Sequence, residues 1–220
     1  MNSAKQETLR LWATRSGVLA AVAGFLVVAT ASTAQADDRG GRWAAESVEI
    51  SDFYVFNTDQ KVNGATILVR DFVNRVIDVE LSINALDPGG AYSIWVAVFN
   101  NPWYCSDACG LDDLPGINPA ADKRVRPSVF YGGGFLADSG GSGTASFKIV
   151  PGRTSRELFA ATENYGLERL WGSEVHIVLR SHGAAVTGSV ANQIGTASGT
   201  CNTATGMCQN VFTSFHPPLD

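Results

Sequence analysis

Apolar and polar residues alternate along most of the chain after residue 45, which is the period of a strand with one buried face. Residues 48–56 start in this way, Asn63-Gly64 reads as a turn pair, and residues 65–69 follow as a short apolar strand. Residues 76–83 alternate cleanly: Ile77, Val79, Leu81 and Ile83 on one face, Asp78, Glu80 and Ser82 on the other. That is a half-buried antiparallel strand. Asp87-Pro88-Gly89-Gly90 turns the chain through proline's fixed φ and glycine's access to positive φ. Residues 92–99 are apolar on nearly both faces and predict a central strand covered on both sides. Strand character returns at 128–136, 144–150, 174–180 and 209–215.

Between these strands lie three irregular stretches. Residues 100–126 form a long insertion with a cysteine pair and several prolines, and insertions of that length are usually functional or disordered. Residues 155–165 are the helix candidate, with Ser155 as its cap and Leu158 and Phe159 inward. Residues 183–200 are rich in Gly, Ala, Ser and Thr, lack a helical period, and read as a long connection. Short strands with turns between them predict an all-β fold. The expected form is an antiparallel β-sandwich with Greek-key, immunoglobulin-like connections, a disulfide-pinned loop and one short helix.

The N-terminus departs from this pattern. Lys5, Arg10 and Arg15 precede an apolar run over residues 17–29, and small residues lead to Ala34-Gln35-Ala36 before Asp37-Asp38. That is the layout of a secretory signal, and the run falls short of the roughly 20 apolar residues a spanning helix needs. The expectation is cleavage after Ala36, a linker over 37–46, and one domain over 47–220 that is secreted or periplasmic and has no membrane span. Without residues 1–36 the chain has 184 residues, 13 Lys and Arg, and 20 Asp and Glu, a net charge of −7 against −5 for the whole. The densest basic run is Lys123-Arg124-Val125-Arg126, so a nucleic-acid partner is not expected.

Cys105, Cys109, Cys201 and Cys208 read as two disulfides in an exported chain. Three pairings are open; local ones, Cys105–Cys109 and Cys201–Cys208, would each pin a loop rich in Gly, Asp or Asn. Zinc held by all four thiolates is the rival, but a C-x6-C spacing is not a usual half-site.

Candidate chemistry is sparse. The histidines are His176, His182 and His216. Glu174, His176, Val178, Arg180 and His182 share one strand face, which reads first as a solvated polar face. Its metal alternative is copper or zinc on His176 with His182 or His216, with Glu174 about 7 Å from His176 along the strand. His176 and His182 would stand about 20 Å apart on a straight strand, so a bend is required. No cofactor or hydrolase signature is present; Ser142, among glycines, lies in a turn rather than on a strand-to-helix elbow. Asp107, Asp112 and Asp113 form an acidic loop whose spacing matches no EF-hand, and a solvated loop is the simpler reading. Trp103 and Tyr104 beside them suit either a stacking surface for a sugar or protein partner, or a small core under the loop. These residues favour a non-catalytic module binding a cell-surface polymer or an extracellular protein.

The run Gly90-Ala91-Tyr92-Ser93-Ile94-Trp95 into Phe99-Asn100-Asn101-Pro102, the Cys105…Cys109-Gly110 loop with Asp112-Asp113-Leu114, and the Glu174-Val175-His176 strand through His182-Gly183 resemble a family of exported bacterial β-domain proteins without an established activity. The resemblance extends to Cys208-Gln209 and His216-Pro217, and implies export and a β domain. More loosely, the strand order looks like chordin-type extracellular domains. Their His-x-His element is missing at Trp95-Val96-Ala97-Val98, so that likeness transfers no site residue.

Overall fold

The computed structural model describes residues 46–152, 165–196 and 208–219. The expected signal and nearly all of the expected linker, Cys201, and all but Tyr165 of the helix expected over 155–165 lie outside these residues. The strands are β1 (Glu46–Val55), β2 (Lys61–Asp71), β3 (Val76–Ile83), β4 (Gly90–Phe99), β5 (Pro127–Leu136), β6 (Gly143–Ile149), β7 (Glu174–Ala184) and β8 (Gln209–His216).

All eight belong to one antiparallel sheet, in the order β5-β4-β7-β8-β1-β2-β3-β6, curled into a nearly closed barrel. This corrects the two-layer sandwich. A strand with one apolar face has the same period in either architecture, so alternation alone does not separate them. Register breaks between Asp52 and Phe53, between Ile94 and Trp95, and between Leu179 and Arg180 supply local twist, and bulged sheets curl. The two edge strands, β5 and β6, meet through side chains. A β-carbon added at Gly132 of β5 would come within 3.3 Å of Phe147 Cε2, and one at Gly143 of β6 within 2.2 Å of Phe135 Cε2. Each glycine therefore leaves room for an aromatic ring from the facing strand.

Two other expectations change. Asn63-Gly64 is not a turn: Gly64 lies inside β2 opposite Ile83, and a β-carbon there would fall 2.8 Å from Ile83 Cα. Glycine here serves close packing. The chain reverses instead at 56–60, where Asn57 takes a φ of 60° and the Thr58 hydroxyl donates to the Val55 carbonyl. The 183–200 connection is also not free of helix. Val190–Gly195 forms α1, held by the buried Gln193 side chain, which donates to the Ala184 carbonyl and accepts from Val186 N–H. A tertiary clamp of this kind leaves no periodic trace in the sequence.

The barrel interior is apolar for most of its length, with Phe53, Leu68, Ile77, Ile94, Ile177 and Leu179 fully buried. Polar groups are enclosed with them: Thr66, Ser214 and His216, and Arg70, which is also fully buried. Its guanidinium meets Glu49 at 2.6 Å and donates to the carbonyls of Leu170, Ser173 and Pro217. One cation thus ties β1, β2, the segment before β7 and the chain after β8. A buried charge stripped of its counter-ion costs about 3–5 kcal/mol. Glu49→Ala is therefore expected to lower unfolding stability by about 3 kcal/mol, while joint Glu49→Leu and Arg70→Met costs less. Urea unfolding of both variants is the test; an unchanged midpoint for Glu49→Ala would remove the role given to this pair.

Candidate functional site

The 100–126 insertion packs against the outer face of β4 and β5. Ala97, Phe99 and Val129 from the strands meet Cys109, Leu114 and Val125 from the loop in a second small core. This explains why β4 is apolar on both faces: its inner residues line the barrel and its outer ones carry the loop.

Asn100 and Asn101 clamp the loop's start to its end. The Asn100 amide donates to the carbonyls of Arg126 and Gly166, each at 2.9 Å, and its oxygen accepts from Glu168 N–H. Asn101 donates to the Arg124 carbonyl at 2.7 Å. Farther out, Cys105 and Cys109 form a disulfide. Cys208 is disulfide-bonded as well.

Of the acidic trio, Asp107 and Asp112 are exposed, but Asp113 is buried. Its carboxylate accepts from Ser106 N–H at 3.0 Å and Gly110 N–H at 2.9 Å. The solvated reading fails for this residue, because its oxygens are used to close the loop around the disulfide.

Trp103 and Tyr104 stay out of that core. Trp103 is 56% exposed and Tyr104 37%. Their ring centroids lie 6.0 Å apart, and each has an arginine beside it. Arg124 sits 4.4 Å above Tyr104, and Arg169 sits 5.3 Å from Trp103. Next to them Arg126 lies 3.9 Å from the Tyr165 ring and pairs with Glu168, whose carboxyl is held below its ordinary range by that hydrogen bond. Arg124 stands in the basic run noted in the sequence; Arg169 has no local signal and is joined to Trp103 only by folding.

All three histidines are buried, so the solvated-face reading is corrected, although His176 and His182 keep the strand face expected of them. His176 lies between Phe99 and Phe215, with Nε2 on Glu174 at 2.6 Å. His182 lies under α1, with Nε2 on Ser93 Oγ at 2.8 Å and Nδ1 by Cys208 Sγ at 3.3 Å. His216 is on the interior side, with Nε2 on Thr66 Oγ1 at 2.6 Å; its Nδ1 is buried without a partner, 3.7 Å from Glu49. The three rings occupy three different settings. Among the described residues, no three His, Cys, Asp or Glu side chains gather as a metal-ligand set.

No family model matches this chain, and no curated protein sequence matches it.

Burial, reinforced by Arg70 and His176, lowers the His216 pKa from 6.5 to about 4. The unfolded chain therefore takes up the proton first as pH falls. The neutral ring's contribution is complete above about pH 6.5 and is lost toward about pH 4, a change of about 3 kcal/mol. The expected result is a fall in the urea midpoint across that window which His216→Asn flattens. An equal slope in the variant would assign the effect to other groups.

Proposed function

We propose that the chain is exported through residues 1–36 and acts outside the cytoplasm as a non-catalytic domain that binds a cell-surface polymer on the 100–126 loop. The observation that carries this reading is the exposure of Trp103 and Tyr104 on a loop held rigid by Asn100, Asn101, Asp113 and a disulfide. Two partly exposed aromatic rings contribute less to stability than buried ones, whereas a fixed pair of ring faces suits sugar rings stacked along a chain. Loop rigidity matters because a platform ordered in advance loses little entropy on binding.

The flanking arginines extend the argument. Arg124 and Arg169 keep cationic edges beside the rings in a chain whose net charge is negative. Arg169, against Trp103, supplies a guanidinium that favours polymers bearing carboxylates or phosphates over neutral ones, while Arg124 is already paired with Asp122. The secretory layout of residues 1–36 and the resemblance to exported bacterial β-domain proteins support the location outside the cytoplasm.

The test is co-sedimentation of the purified protein with whole cell-wall material, alongside affinity electrophoresis in polygalacturonate and in a neutral glucan. Retention by the acidic polymer is expected, with a loss of about tenfold or more in affinity for Trp103→Ala combined with Tyr104→Ala. Unchanged retention in that double variant would reject the loop as the binding surface.

A further inference from the structure

The cysteine loop has a second side. Between it, the 56–60 turn and β8 lies a cleft of about 380 Å³, separate from the exposed face of Trp103 and Tyr104. Its walls include Phe56, Ala97, Phe99, Leu111, Leu114 and Phe215. His176 also lines it. The volume lies within the range of small-molecule sites, and an apolar cavity with a few convergent polar atoms is the usual composition of one.

Of the polar residues on its wall, which include Asn57, Thr58, Asp59 and Thr213, His176 stands among the phenylalanine rings and defines the ligand. His176 Nε2 is engaged by the Glu174 carboxylate at 2.6 Å, and a carboxylate there holds the proton on Nε2. Nδ1 is then the ring's remaining hydrogen-bonding atom, and in the neutral ring it is an acceptor. A complementary ligand must therefore bring a donor. It must also be flat and largely apolar to fill a space bounded by Phe56, Phe99 and Phe215. An anion is opposed by Glu174 behind the imidazole and by Asp59 at the rim. A neutral ligand with one polar group loses the least hydration on entering a space walled by phenyl rings. We infer that this cleft binds a small neutral phenol, its ring among the phenylalanines and its hydroxyl donating to His176 Nδ1.

The aromatic setting of His176 supports this assignment. Its ring centroid is 4.9 Å from that of Phe99 and 4.7 Å from that of Phe215, the latter edge-on, so the imidazole is fixed in plane and presents its nitrogens in set directions. The disulfide, through Cys109, holds the opposite wall. Both sides of the cleft are thus ordered before a ligand arrives.

The experiment titrates the purified protein with phenol at about pH 8, above the ordinary range of histidine and below the phenol's own pKa of about 10, by equilibrium dialysis with absorbance detection. Anisole, in which the hydroxyl hydrogen is replaced by methyl, is run in parallel. Saturable one-to-one binding of the phenol is expected, weakened about tenfold or more by methylation and by His176→Phe. Leu111→Trp, at an exposed position on the cleft wall, is expected to abolish binding by filling the space, while Trp103→Ala leaves it unchanged. Absence of saturable binding, equal affinity for the anisole, or undiminished binding in Leu111→Trp would each overturn the assignment. Because Trp103→Ala separates this cleft from the outer face of the loop, either site can fail without the other.

Discussion

The constraint on which the rest of the structure depends is that β4 is apolar on both faces while its sheet curls into one layer. A curled single sheet has an inside that seals itself and an outside that faces water. Ile94, Val96 and Val98 are satisfied by the interior. Trp95, Ala97 and Phe99 alternate with them and need an outer cover. The 100–126 loop is that cover on the Phe99 side, and Arg180 lies over Trp95. Burying an apolar side chain is worth about 1.5–3 kcal/mol, so several such residues supply enough to order a loop with little regular structure of its own.

That ordering has consequences for each surface of the loop. The inward residues, Cys109, Leu114 and Val125, hold it to the strands. The ends are joined by asparagine amides because backbone carbonyls at a loop's base need donors that a sheet does not provide. With base and middle fixed, Trp103 and Tyr104 are left on the outside at set positions, and the gap beneath the loop on the β8 side stays open. One packing requirement thus produces both a stacking platform and a cleft.

Much of this was legible in the residues. Period two placed most of the strands, and the two-faced apolarity of residues 92–99 announced that something must cover them. The C-x3-C spacing suggested the local disulfide that is present. What the pattern did not contain is curvature. Ile77, Val79, Leu81 and Ile83 would alternate in the same way toward a second sheet or toward a barrel axis. Nor did it contain long-range partners. Arg70 reads as a polar residue in an ordinary strand, and its burial depends on Glu49 and on carbonyls about a hundred or more positions away. Asp113 reads as one of three similar aspartates, yet it alone turns inward, because Ser106 and Gly110 present N–H groups to it.

The histidines show the same limit and also a distinction that matters for chemistry. In sequence they are equivalent imidazoles on or beside polar strand faces. In the fold, His216 is closed inside the barrel, where desolvation and a neighbouring guanidinium keep it neutral. His182 is closed beneath α1, with both ring nitrogens facing protein groups, Ser93 and Cys208. Each is committed to structure. His176 is equally buried as a residue, but one of its neighbours is an open cleft, and a single carboxylate accounts for Nε2. Burial alone therefore does not separate a structural histidine from one able to meet a ligand. The separation lies in whether the ring's second nitrogen faces protein or space, and among the described residues His176 borders a cleft large enough for another molecule.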